Sequence, residues 1–253
     1  MITRRHLIRS IAATAAATAA LAGALPLAAQ TADAGSAGRR GPVVVELFTS
    51  QGCSSCPAAD KFLGELAGRG DVIALSFHVD YWNYMGWADP FSRADNSARQ
   101  RAYKHAMGLR YVYTPQMVVD GRTQAVGSER DAVERLIGEA ADRPSLPVVL
   151  KQNGSEIEVS VEGADQADAA VVWLVVFDRV HKTKIERGEN SGRSILNVHV
   201  VQSMVPIGKW TGQPLRISYT TDMLTPQRGA AVLVQKKGTG PILGAAMIRP
   251  PTS

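Results

Sequence analysis

Cys53 and Cys56 are the only cysteines in the chain, and two serines separate them. A C-x-x-C spacing allows three chemistries: thiol–disulfide exchange, soft-metal binding, or a purely structural bridge. The flanking residues favour the first. Upstream, Val43-Val-Val-Glu-Leu-Phe48 is a short apolar run that predicts a buried strand. Downstream, Pro57 to Ala67 places Phe62, Leu63 and Leu66 on one face and predicts a helix that Gly68 and Gly70 stop. The pair therefore sits where a strand gives way to a helix. The free N–H groups and positive dipole end of that helix favour a thiolate on the first cysteine. In such motifs the thiol pKa falls to roughly 3.5–7.5 from about 8.5. Cys53 is expected to be the attacking nucleophile and Cys56 the resolving thiol. Pro57 suits the first helical turn, where its missing N–H costs nothing.

The rival chemistries stay open at this level. A structural disulfide here closes so short a loop that little chain entropy is recovered. A copper(I) site could combine Cys53 and Cys56 with His78, which ends the second strand. Thr114-Pro115 stands just before the third strand, where a proline without an N–H is tolerated. On spacing alone a trans bond is the ordinary state. Asp80 to Trp87 packs four aromatics into eight residues of a chain with only 6% aromatics. This loop, Trp82 included, reads either as a groove wall for apolar parts of a substrate or as a cover for the sheet end. Arg187-Gly-Glu-Asn-Ser-Gly-Arg193 reads either as a solvated hairpin loop or as a segment folded over Cys53. His181 and His199 lack metal-ligand spacing and read as structural. No serine–histidine–acid motif, Walker loop or dinucleotide fingerprint is present.

Further elements must position these residues. Val72 to Val79 reads as a second strand, Phe91 to Met107 as a helix, and Gln116 to Val119 as a third strand. Asp120-Gly121 marks a hairpin turn into Arg122 to Val126, and Glu129 to Ala141 reads as a final helix. This β-α-β-α-β-β-α order predicts an α/β fold over residues 43–144. Pro144 to Pro147 is a linker candidate. Seven short strands follow, which predicts a β-sandwich-like all-β domain over residues 145–253.

The amino terminus has its own character. Thr3-Arg4-Arg5-His6-Leu7-Ile8-Arg9 precedes an Ala-rich apolar stretch from Ile11 to Ala29 that Pro26 interrupts. This predicts a cleaved twin-arginine-type signal peptide over residues 1–34, with a flexible arm at 35–42. The mature chain is then expected in the periplasm or secreted, with no membrane span. Its formal charge of +5 falls to about +2 once Arg4, Arg5 and Arg9 are removed, which gives no argument for nucleic acid.

Four stretches together resemble a known family: V-E-L-F-T-S-Q-G-C-S-S-C-P-A-A-D, H-V-D-Y-W-N, Y-T-P-Q-M-V-V-D-G and R-G-E-N-S-G-R. They are similar to domain-of-unknown-function family 1223, exported bacterial thioredoxin-like proteins, and the resemblance covers residues 43–248. It implies a thioredoxin-like fold with a helical insert, followed by a β-rich part. From the wider thioredoxin superfamily it implies Cys53 as nucleophile, Cys56 as resolving cysteine, and Pro115 as a cis-proline whose neighbour Thr114 pairs with substrate. The W-C-G-P-C signature of thioredoxin itself is absent, Gly52 standing before Cys53. The implied partners are a thiol or disulfide protein substrate and a redox partner protein, with no cofactor.

Overall fold

The computed structural model of the chain describes residues 41–165 and 169–250. The leader, and the arm up to residue 40, lie outside the described residues. The element order is β1 (Val43–Thr49), α1 (Pro57–Ala67), β2 (Val72–His78), α2 (Ala94–Ala106), β3 (Gln116–Val119), β4 (Thr123–Val126) and α3 (Arg130–Ala141). Then come β5 (Val148–Asn153), β6 (Glu156–Val161), β7 (Ala170–Lys184), β8 (Ser194–Trp210), β9 (Leu215–Thr220), β10 (Arg228–Lys236) and β11 (Ile242–Ile248).

β1 is buried on both faces, which is why its sequence is nearly all apolar. Val43, Val45 and Leu47 point to one side, against Phe62, Leu63 and Leu66 of α1 and Val133 and Ile137 of α3. Val44 and Phe48 point to the other, among Ile73, Leu75, Phe77 and Tyr103. α1 spans the residues that the sequence predicts. α2 begins three residues later than its pattern suggests. The Asp89 carboxylate accepts the Phe91 N–H at 2.9 Å, and Ser92 Oγ donates to the Asp89 carbonyl at 2.7 Å. These bonds hold residues 89–92 in a turn and delay the helix.

The fold is mixed α/β, built on one eight-stranded sheet of order β11-β10-β7-β8-β2-β1-β3-β4. This corrects the expectation of a separate β-sandwich after residue 144. β8 pairs in parallel with β2 at Ser76↔Val200, so strands from both halves of the chain share a sheet. The second apolar cluster joins them as well, bringing Val175, Phe177, Val201 and Leu233 against Val44 and Phe48. β5, β6 and β9 form a three-stranded sheet. It packs Ile157, Val159 and Val161 on Val172, Leu174, Val176 and Val232 of the larger one.

β7 and β8 are 15 and 17 residues long, well beyond the apolar runs that announce them. The extra length of β7 ends in His181-Lys-Thr-Lys184, a polar tip in which Lys182 and Lys184 are exposed, without an apolar signature. That extension carries the β7–β8 hairpin, and with it residues 185–193, to the cysteine pair. No helix among the described residues is long and apolar enough to cross a membrane.

Candidate functional site

Cys53 and Cys56 form a disulfide, with their Cα atoms 5.5 Å apart. Cys56 caps α1 and Pro57 opens it, so the bridge lies across the start of the helix. The Cys53 N–H donates to the Ser50 carbonyl at 3.1 Å, and Cys53 Sγ lies 3.3 Å from Ser55 Oγ. Both cysteines are almost fully covered, Cys53 at 1% exposure and Cys56 at 0%, whereas Ser54 and Ser55 between them are exposed. A side chain on Gly52 would meet Trp82 at 3.3 Å, which accounts for glycine before the first cysteine.

Three strand ends converge here. Thr49 at the end of β1 sits opposite His78 at the end of β2. Phe48 pairs with Gln116 at the start of β3, which brings Pro115 to the same sheet end. The Thr114–Pro115 bond is cis. Trp82 Nε1 donates to Thr114 Oγ1 at 2.8 Å, tying the aromatic loop to the residue before the proline. Trp82 also packs on the second core cluster, so the loop both walls the site and closes the sheet end. Trp82→Phe keeps an aromatic ring but loses the hydrogen bond. It should lower stability by about 1 kcal/mol, read as a shifted urea midpoint with an unchanged slope.

Gln51, fully buried, organises the loop before the cysteines. Its N–H donates to Asp89 Oδ2 at 2.8 Å and its Nε2 to Asn197 Oδ1 at 2.9 Å. Its Oε1 accepts from Trp87 Nε1 at 3.1 Å. Its carbonyl accepts from Asn190 Nδ2 at 3.0 Å, and the same amide nitrogen donates to the Cys53 carbonyl at 2.9 Å. Arg193 Nη1 braces Asn190 Oδ1 at 3.0 Å, and the Ser54 N–H donates to Glu189 Oε2 at 3.2 Å. Residues 187–193 are thus a strap across the backbone of the cysteine motif. Of the two readings of this charged loop, the structure supports the one that lays it over Cys53.

Beneath the bridge lies a buried polar cluster. His78 Nδ1 is 2.7 Å from Asp89 Oδ2, and neither side chain is exposed. Burial works against the charge on His78, yet the neighbouring Asp89 carboxylate holds its pKa above the usual value. Asp89 is in turn held low, against burial, by His78 and by the N–H groups of Gln51 and Phe91. Asp60 lies one helical turn beyond Cys56 and donates its N–H to the Cys56 carbonyl at 3.0 Å. Its burial pushes the carboxyl up to about 7, with His78 pulling partly the other way. Thr49 and Asn197 lie near enough to favour the carboxylate slightly, but not at hydrogen-bond geometry. Both Asp60 oxygens, Thr49 Oγ1, His78 Nε2 and Asn197 Nδ2 are left without a partner among the described residues. Asp60 also lines the wall of a groove of about 650 Å³ that runs between α1 and residues 193–198.

The structure brings Cys53, Cys56, Trp82, Thr114 and Pro115 to one end of the sheet. It ties His78 to Asp89 instead of to the cysteines. No group of three or more His, Cys, Asp or Glu is placed to hold a metal among the described residues. His181 pairs with Asp178 at 2.8 Å, and His199 Nδ1 lies 2.9 Å from the Ala74 carbonyl. Gln51, Asp60, Asp89 and Asn190 carry much of the site; sequence reasoning singled out none of them individually, although it read the segment that holds Asn190 as one that could fold over Cys53. Asp60 had a local signal of its own: a carboxylate on the apolar face of α1, four residues after Cys56.

A family model described as "Protein of unknown function (DUF1223)" matches residues 44–235. Among solved structures, a crystal structure of a protein from Agrobacterium tumefaciens is 32% identical, with a TM-score of 0.74. That match covers 85% of this chain and 97% of that one. HBP35 of Porphyromonas gingivalis is 12% identical with a TM-score of 0.57, covering 85% of this chain and 78% of that one, a likeness of fold. No curated protein matches.

Proposed function

The chain belongs to the DUF1223 family, whose function is unknown, and from that premise we propose that it is an exported thioredoxin-like thiol–disulfide oxidoreductase. The observation that carries the reading is the Cys53–Cys56 bridge at a strand-to-helix junction, with an acid of raised pKa one turn below it. A bridge that only stapled the fold would have no use for a buried carboxyl of raised pKa one helical turn from it.

In the reaction, a substrate thiolate attacks Cys53 Sγ. The Cys53–Cys56 bond breaks, and Cys56 leaves as a thiolate that takes up a proton. The second substrate thiol, once deprotonated, attacks the substrate sulfur of the mixed disulfide. Cys53 is released as a thiolate and the substrate disulfide departs. Two electrons pass from the substrate dithiol to the protein disulfide, and the reverse sequence oxidises the protein. Asp60, titrating near neutral pH, is suited to give the proton to Cys56 and to reclaim it. Thr114, preceding the cis-proline, offers its backbone to an extended substrate, and Trp82 borders that surface. The basic, Ala-rich leader supports export to the periplasm or beyond. The partners are a thiol or disulfide protein substrate and a protein that resets the cysteine pair.

Cys56→Ser tests this reading. In the reverse sequence the Cys53 thiolate attacks a substrate disulfide and Cys56 resolves the product; without that thiol, Cys53 should hold its substrate as a mixed disulfide, visible as a higher-mass species on non-reducing gels and lost with dithiothreitol. If no such species forms in the compartment where the protein resides, and the substitution only lowers stability, the bridge is structural and the proposal fails.

A further inference from the structure

The strap places a carboxylate where a reactive cysteine would least favour one. Glu189 Oε2 accepts the Ser54 N–H at 3.2 Å, immediately after Cys53. That N–H lies just ahead of the N-cap Cys56, and backbone N–H groups near a cysteine at a helix N-terminus favour its thiolate. Glu189 uses one of them and adds a like charge beside the nucleophile. The strap is held by a few contacts between two glycines of left-handed backbone. Glu189, Asn190 and Ser191 lie between Gly188 and Gly192, whose φ angles are +77° and +80°. Glu189 and Ser191 are exposed, and Asn190 is buried on the Gln51 and Cys53 carbonyls. Gly188 lies against the aromatic loop, where a side chain would meet the Met85 carbonyl at 3.0 Å and Trp87 at 3.2 Å. With the strap in this position, Cys53 is 1% exposed, too closed for an incoming thiolate.

We infer that the strap is a brake on Cys53, with Glu189 as the positioning residue that holds the cysteine in a less nucleophilic state. This rests on the exchange reading, since a brake needs a nucleophile to restrain. Docked, Glu189 opposes the Cys53 thiolate and the strap limits access. Released, the Ser54 N–H is freed and the like charge moves away. The second half of the chain thereby sets the reactivity of cysteines carried by the first.

Alkylation of the full chain separates charge from access. In Cys56→Ser, Cys53 is the only thiol, and its thiolate displaces iodide from iodoacetamide to form a thioether. The rate is followed against pH with Glu189, with Glu189→Gln and with Asn190→Ala. Glu189→Gln should move the pH of half-maximal rate down by about one unit and raise the rate near pH 6 about tenfold. Asn190→Ala releases the strap, so Glu189 and the flanking Arg187 and Arg193 move away together, and it should raise the plateau by opening access while shifting the profile less than Glu189→Gln. Salt at about 1 M should shrink the Glu189 effect, because exposed charges are then screened. Glu189 is exposed, so its replacement leaves the fold intact. Glu189→Lys, expected to shift the profile further, provides a second test. Superimposable pH profiles in all these variants overturn the inference. The outcome is separate from that of the exchange reading. A missing mixed disulfide with protein substrates would retire exchange whatever the alkylation profile, whereas unchanged profiles would retire only the brake.

Discussion

Asp60→Asn should make the protein more stable relative to wild type as pH rises, with the gap widening by about 4 kcal/mol from below pH 3.8 to above pH 7. The sign follows from burial. The unfolded aspartate ionises near 3.8, whereas the folded one keeps its proton up to about 7. Between those values the unfolded chain releases a proton that the folded chain retains, so wild-type stability falls across the window and levels off above it. Asparagine does not titrate and removes this slope. Urea unfolding at the two ends of the window measures the gap, and a constant gap would show that Asp60 is not buried as an acid. If Asp60 serves Cys56, the same variant should exchange disulfides more slowly near neutral pH while losing the pH-dependent fall in stability. An active-site acid kept at a cost to stability has that signature.

Arg99→Met should cost about 3–5 kcal/mol and lower Tm by on the order of 10 °C. Glu46 is a fully buried carboxylate in the central strand β1. Arg99 meets it through Nε at 2.5 Å and Nη2 at 2.9 Å. Tyr103 donates its hydroxyl to the same carboxylate at 2.5 Å, and Gln235 Nε2 donates to the Tyr103 oxygen at 2.9 Å. Methionine fills much of the space but leaves Glu46 as an uncompensated buried charge. Adding Glu46→Gln should recover a large part of the loss, because the penalty comes from the stranded charge more than from the missing pair. Thermal unfolding of the two single variants and the double variant decides the matter, and additive losses would contradict it.

The parts of this molecule that were legible in its sequence depend on neighbours along the chain. The bounds of α1 follow from Pro57, the spacing of Phe62, Leu63 and Leu66, and the glycines beyond. β1, β2 and β3 announce themselves as apolar runs because both of their faces are covered. The cysteine motif is read directly. What escaped reading is set by distant residues. Asn190 reaches Cys53 across 137 positions, and Gln51 reaches Asn197 across 146. No periodicity encodes such bonds. The polar tip of β7 escaped for a related reason: it is held by pairing with β8, and its own side chains need no apolar face there. Glu46 was visible as a charge inside an apolar run, but its partner Arg99 lies on a helix 53 positions away.

The shared sheet has a consequence for how this protein can be inherited. β8 joins β2, and the hairpin it forms with β7 supplies Asn190 and Asn197 to the loop that holds the cysteines. The C-x-x-C segment is therefore not a cassette that recombination could move to another gene and leave working. A crossover near the codon for residue 144 would separate the cysteines from the residues that hold their loop. Lineages carrying this site must transmit both halves together, and the family match, running unbroken across both, has that form.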